Sequence, residues 1–112
     1  MKRSYLGEFE EVLLLTVMFL GEDAYGVAIA KMLDEKTGRE ASISAVHATL
    51  HRLQVKGLLK SHMAGATSER GGRRKRFFTI TPAGTRSLRE IKEVREEFWQ
   101  HIPHGSPGLK SV

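Results

Sequence analysis

The chain has 112 residues, of which 40% are hydrophobic and 28% charged, and its formal net charge at pH 7 is +5. This length and composition predict one soluble domain with a single modest core, and they exclude a chain that is disordered throughout. Because the chain has no cysteine, disulfides, thiolate metal sites and a cysteine nucleophile are excluded, and a reducing cytoplasm is the expected location.

Two helices are predicted at the start of the chain. Residues 6–20 carry apolar residues at helical spacing on nearly every side, so we expect a central helix that a second copy of the chain helps to cover. Its apolar run, 12–20, is about half of the roughly 20 residues needed to span a bilayer, so no membrane partner is expected. After Gly21, an amphipathic second helix is predicted over 24–36, with Thr37 and Gly38 as its stop.

A third helix is predicted over about 44–56, with Ser42 or Ser44 as its N-cap. Helical spacing places one apolar face toward the core, formed by Val46, Leu50 and Leu53.

The opposite face of this helix has small residues and hydrogen-bond donors, which a helix in a DNA major groove needs. Its candidate DNA contacts are Ser44, Ala48, His51 and Arg52. Arg52 suits a bidentate contact to guanine, Ser44 a base or phosphate, and Ala48 a thymine methyl group. A solvated helix face has the same residue types, so this face by itself leaves both interpretations open.

A hairpin with a strongly basic tip follows. Two short strands are predicted over 58–63 and 75–81, and residues 69–76 between and beside them carry five cations and one glutamate, a net charge of +4. Gly71 and Gly72 let the tip bend. We expect the tip cations to follow phosphates or enter a minor groove, and the candidate contacts are Arg73, Arg74 and Lys75.

The last predicted helix begins with Thr81 as N-cap and Pro82 as first residue. An apolar seam follows it, longer than three short helices can cover, and is therefore the expected dimer interface: Leu88, Ile91, Val94, Phe98, Trp99 and Ile102. The chain is thus predicted to be mainly α with a small β-hairpin, in the order of a winged helix-turn-helix. Its predicted parts are a winged-helix DNA-binding domain (1–82), a C-terminal dimerisation helix (83–102) and a flexible Gly-, Pro- and Ser-rich tail (103–112).

No enzymatic or cofactor chemistry is predicted. His47 and His51 have the i,i+4 spacing of a metal pair, but no third ligand is identifiable from the sequence. No catalytic Ser/His/Asp set, phosphate-binding loop or paired-carboxylate pattern is evident either.

Three stretches in this order resemble the PadR family of transcriptional regulators: AYGVAIAKMLDEKTG (24–38), TLHRLQVKGLLKS (49–61) and GGRRKRFFTITPAGTRSL (71–88). The chain differs from the family pattern at the start of the third helix, where His47 replaces the usual tyrosine and Ala48 the usual proline. We expect this difference to affect the DNA contacts of the helix's first turn, and therefore the operator sequence, but not the fold.

The resemblance implies a homodimeric, sequence-specific DNA-binding repressor of the short subgroup, whose last helix packs on the partner's first helix. Two recognition helices about 34 to 36 Å apart would then read a pseudo-palindromic operator. Short members bind flat aromatic molecules between such helices, so Phe98 and Trp99 either hold a small aromatic effector or pack the dimer. Two other functions stay open, namely a winged-helix module that binds proteins and a nonspecific nucleic-acid-binding protein.

Overall fold

A computed structural model of the protein describes residues 6–65, 74–105 and 107–108. Within these ranges the elements are α1 (Glu8–Leu20), a 3-10 turn (Gly21–Asp23), α2 (Gly26–Thr37), α3 (Ile43–Val55), β1 (Leu59–Ala64), β2 (Lys75–Ile80) and α4 (Pro82–His101). The predicted fold is confirmed, a winged helix-turn-helix with one further helix at its C-terminal end. The tip residues 66–73, including Arg73, lie outside the described residues, as do Ser106 and 109–112 of the predicted tail.

The core lies where α1, α2 and α3 pack against one another. The predicted apolar face of α3 is confirmed, because Val46, Leu50 and Leu53 are fully buried. The side-chain oxygen of Ser42 accepts a hydrogen bond from the Ala45 amide at 3.1 Å, so Ser42 is the N-cap and α3 begins at Ile43. The largest fully buried side chains contributed by α1 and α2 are Leu13, Leu14, Val17, Ile29 and Leu33.

The hairpin is tied to the core by Phe78. In its antiparallel register Leu59 pairs with Ile80 and Ala64 with Lys75, and alternation along β2 turns Phe78 inward, where it is buried. The Phe78 amide donates to the Ala24 carbonyl at 2.8 Å. The next residue back, Phe77, forms an isolated antiparallel bridge with Tyr25, so the hairpin is fixed to the segment that precedes α2.

One threonine joins the hairpin to α4. The Thr81 hydroxyl accepts a hydrogen bond from the Gly84 amide at 3.1 Å and donates one to the Gly57 carbonyl at 2.7 Å, while the Thr81 amide donates to Leu58. A Cβ atom on Gly84 would lie 2.4 Å from the Leu58 carbonyl oxygen. The first turn of α4 therefore packs directly on the segment between α3 and β1.

The single chain does not cover α1 on every side. Three of its large apolar side chains remain exposed: Leu15, Met18 and Phe19. In the described part of the chain, no helix combines the length and the apolar character that crossing a membrane requires.

Candidate nucleic-acid interface

The exposed face of α3 presents small and polar side chains. Ser44, Ala48 and His51 are all exposed, and their spacing places them on one stripe of the helix. The structure thus brings together three of the four predicted contacts on this helix. A stripe without bulky side chains allows the close approach to base edges that major-groove reading needs.

Arg52 lies at the edge of this face, where one of its donors contacts α1 and another contacts a residue of α3 itself. Its Nε atom is 3.3 Å from a Glu10 carboxylate oxygen, and its Nη2 atom donates to the Thr49 hydroxyl at 3.2 Å. The side chain is still 56% exposed. Arg52 is therefore an anchored side chain at the border of the predicted reading face, and its contact to guanine stays a prediction.

Glu10 is the buried partner of two cations on α3. Besides Arg52, the Lys56 ammonium contacts both of its carboxylate oxygens, at 3.0 and 2.9 Å, and the Gly7 amide donates to it at 2.9 Å. Burial by itself raises the pKa of the Glu10 carboxyl, but these hydrogen bonds and the Lys56 charge outweigh it and hold the pKa below its ordinary value. The charged carboxylate therefore links the first turn of α1 to the C-terminal half of α3.

The hairpin formed by β1 and β2 is the wing of this fold. Within the described ranges, its base carries cations that no carboxylate neutralises. Arg74 donates to the Met63 carbonyl at 3.2 Å, Arg76 donates to the Ser61 hydroxyl at 3.0 Å, and the Lys75 ammonium lies 4.1 Å from the centre of the Tyr25 ring. All three cations are exposed. Their charge is thus available to a polyanion.

The α3 face and the wing meet in one depression of about 350 Å³. It is lined by His47, His51, Gln54, Arg76 and Phe78. The Gln54 amide nitrogen donates to the Ser61 hydroxyl at 3.0 Å, the same hydroxyl that Arg76 contacts. Helix and hairpin consequently form one continuous, basic surface.

His47 and Gln54 belong to this surface although neither was among the predicted contacts. Each lies beside the stripe formed by Ser44, Ala48 and His51, and each becomes part of the site because Arg76 and Phe78 of β2 line the same depression on that flank of α3. The helical pattern alone does not show which flank the hairpin approaches. Among the described residues, His47 and His51 join no cluster of three or more metal-ligating side chains.

The predicted dimer seam divides into a buried and an exposed part. Leu88 is buried in the core of its own chain, so the part that is available to a partner begins at Ile91, which is half-buried, as is Ile102. Farther along α4 the large apolar side chains are open to solvent: Val94 (40% exposed), Phe98 (69%) and Trp99 (64%). An ion pair at 2.7 Å between Arg95 and Glu11 holds α4 beside α1.

A helix-turn-helix whose open helix face adjoins a basic β-hairpin defines the class of winged-helix DNA-binding proteins. Within this class, the chain belongs to the transcriptional regulator PadR-like family, whose model matches residues 14–90. The predicted resemblance is therefore confirmed. The protein is a DNA-binding transcription regulator, and the members of its family are regulators rather than enzymes.

Solved structures agree with this assignment. A PadR family regulator from Clostridium difficile R20291 is 26% identical, with a TM-score of 0.65 over 82% of this chain and 91% of that one. A PadR family regulator from Eggerthella lenta DSM 2243 is 25% identical, with a TM-score of 0.62 over 80% and 74%. A PadR-like regulator from Bacillus cereus ATCC 14579 shares the fold at 20% identity, with a TM-score of 0.67 over 82% and 84%. A comparison with curated proteins gave no match.

Proposed function

We propose that the protein is a homodimeric, sequence-specific transcriptional repressor that binds a pseudo-palindromic DNA duplex through α3 and the wing. The observation that carries the proposal is the depression in which His47 and His51 of α3 meet Arg76 of β2. Because this depression joins the two elements, a single duplex can contact the small-residue face of α3 and the cations of the hairpin together.

The dimer is supported by two apolar surfaces that the single chain leaves open. One is the far half of α4, and the other is the exposed side of α1 formed by Leu15, Met18 and Phe19. A cleft of about 420 Å³ between α1 and α4 has apolar side chains, Glu11 on its α1 wall and three cations on its α4 wall, Arg89, Lys92 and Arg95, of which Arg95 pairs with Glu11.

Charge complementarity supports placing the partner's α4 in this cleft. The far half of α4 carries carboxylates at Glu93, Glu96 and Glu97 beside its apolar residues. Packing that half into the partner's basic cleft buries apolar surface on both chains and pairs opposite charges at the rim. The arrangement is self-complementary, as a two-fold dimer requires.

We also propose that the protein represses transcription and that a small aromatic effector relieves the repression. The family resemblance supports both. Phe98 and Trp99 stand open on the half of α4 that the dimer is proposed to enclose. Two aromatic side chains at a protein interface provide flat apolar walls for an aromatic molecule. The cytoplasm is the proposed location, and the absence of cysteine supports a reducing compartment.

Selection of bound duplexes from a random pool, followed by a salt titration on the selected sequences, tests the proposal. A specific regulator is expected to enrich a two-fold symmetric motif and to lose affinity by orders of magnitude between about 50 and 200 mM salt. Binding without a preferred sequence would favour the nonspecific nucleic-acid-binding protein. An absence of tight duplex binding at low salt would favour the protein-interaction module.

Two arginine variants test whether α3 reads the base sequence while the wing contacts phosphates. Arg52→Ala is expected to reduce discrimination between the selected duplex and a scrambled one by about 1 to 3 kcal/mol, because Arg52 borders the reading face. Arg74→Ala is expected to weaken both duplexes alike, because a phosphate contact carries no sequence information. Arg86→Ala, at an exposed position on α4, is the control in fluorescence anisotropy. Equal losses from Arg52→Ala on every duplex would contradict a base-reading role.

A further inference from the structure

The depression between α3 and β2 contains two histidines and one arginine without a carboxylate among its lining residues. Its volume of about 350 Å³ falls within the range of small-ligand sites. A guanidinium group carries a permanent charge, whereas imidazoles ordinarily exchange their proton between about pH 5 and 8.

The side chains that line the depression beside the two imidazoles are cationic or neutral, namely Gln54, Arg76 and Phe78. β2 contributes Arg76, which is fixed by its 3.0 Å contact to the Ser61 hydroxyl of β1. Glu10 on α1, an acidic group that contacts α3, is already engaged by Arg52 and Lys56. Because no carboxylate lines the depression, an arriving anion meets only cationic or neutral side chains there.

His47 is held in place by the glycine that begins α2. A Cβ atom on Gly26 would lie 2.7 Å from His47 Cε1 and 2.9 Å from its Nε2. The imidazole thus rests on the α2 backbone and stays at the edge of the depression, on the same face of α3 as His51, one helical turn away.

The proposed DNA complex places a phosphate here. A duplex that receives α3 in its major groove and the hairpin in the adjacent minor groove must pass the sugar-phosphate strand between those grooves over the surface between α3 and β2. The depression is the part of that surface with both cationic and hydrogen-bonding side chains.

We infer that this depression is a proton-linked phosphate site, in which Arg76 provides a permanent charge and His47 and His51 take up protons as a DNA backbone phosphate binds. The inference rests on the proposed function and adds to it a dependence on pH. Since the bound phosphate stabilises the protonated imidazoles, DNA affinity should rise as the pH falls through the imidazole range. At most two protons are taken up per half-site.

The test uses the full chain and a duplex selected as above. Fluorescence anisotropy at constant ionic strength is expected to show binding about tenfold or more tighter at pH 6 than at pH 8. Isothermal titration calorimetry in two buffers of different ionisation enthalpy is expected to show net proton uptake on binding. The double variant His47→Gln/His51→Gln should lose most of both effects, and its exposed positions leave the fold intact, which circular dichroism checks.

The matched control is His101→Gln/His104→Gln, which removes two exposed histidines at the end of α4. It should keep the pH dependence and the proton uptake of the wild-type chain. Full pH dependence in His47→Gln/His51→Gln, or pH-independent DNA binding by the wild-type chain, would overturn this inference and leave the proposed function standing. Failure to bind any duplex at every pH would overturn both.

Discussion

Glu10 illustrates how much one residue contributes when distant parts of the chain meet on it. Its carboxylate accepts hydrogen bonds from the Gly7 amide, from Lys56 and from Arg52, which is 42 positions away in the sequence. Helical spacing marks Glu10 as one of several acidic residues in the first turn of α1. Its burial and its partners follow from the packing of α3 on α1, which no local pattern encodes.

Replacing this carboxylate should make stability less sensitive to acid. Glu10→Gln is expected to lower the free energy of unfolding at pH 7 by about 1 to 2 kcal/mol, because the bonds from two cations lose their charge. In the wild-type chain the lowered pKa means that this stabilisation is complete above the ordinary value of 4.5 and is lost as the pH falls through the lowered one. Urea unfolding at several pH values should therefore show the two proteins converging in acid.

The control for this substitution is Glu8→Gln. Glu8 pairs with Arg39 at 2.7 Å, but both side chains are substantially exposed, so the loss should stay within about 1 kcal/mol. A stability difference between wild type and Glu10→Gln that is the same at pH 7 and in acid would contradict the assigned role.

Gly84 should tolerate no side chain. In Gly84→Ala the new methyl group would lie 2.4 Å from the Leu58 carbonyl oxygen and 2.6 Å from Ile80 Cγ1. Because a backbone atom on one side leaves no room to relax, we expect a loss of about 1 to 3 kcal/mol.

Urea unfolding measures the effect at Gly84, and Gly105→Ala is the control. No atom of the described residues lies within 4 Å of the site where a Cβ atom on Gly105 would stand. The control should change stability by less than about 0.5 kcal/mol. Equal stability of the two variants would show that the first turn of α4 can move away from the hairpin.

At the scale of the elements, periodicity and end signals predicted the four helices and both strands, because apolar spacing, Ser42, Thr81 and Pro82 act locally. Contacts made by single residues escaped prediction. The bridge between Tyr25 and Phe77 and the packing of His47 on Gly26 join segments far apart in the chain. The candidate DNA surface was accordingly foreseen as two separate elements, and the depression that joins them was not.

The C-terminal half of α4 carries the proposed dimer interface, which substitutions can test. Phe98→Glu/Ile102→Glu should convert the proposed dimer into monomers in analytical ultracentrifugation, because two charges would replace apolar side chains in the seam. Gln100→Glu is the control, since it adds a negative charge on the opposite side of the same helix. A dimer that survives the double substitution would place the interface elsewhere.

At the scale of the whole molecule, the chain is more extended than a compact domain. Its radius of gyration is 17.1 Å, whereas a compact chain of this length has about 13 Å. α4 contributes to this shape, because its buried residues, Gly84, Ser87 and Leu88, all lie in its first two turns and the rest of its 20 residues are not buried. In the proposed dimer, a second chain would cover the open apolar stripe of this helix.

The proposed dimer fixes the distance between half-sites on DNA. Inserting five base pairs between the half-sites of the selected operator turns one of them to the opposite side of the duplex. Since one dimer cannot then engage both, the affinity should fall by about 100-fold or more. Electrophoretic mobility shift measures the loss, and the same insertion outside the half-sites is the control. Unchanged binding after the inner insertion would mean that each chain reads DNA independently.

The junction at Thr81 has a consequence for how such a regulator responds to signals. The hairpin ends where α4 begins, and three hydrogen bonds join Thr81 to Gly57, Leu58 and Gly84 without an intervening linker. In the proposed dimer, a rotation imposed on α4 by the partner chain would therefore be passed to the hairpin and to the C-terminal end of α3 as a rigid-body movement. A change of a few degrees in the angle between the two α4 helices would then alter the distance between the two α3 helices, because no loop separates the hairpin from α4.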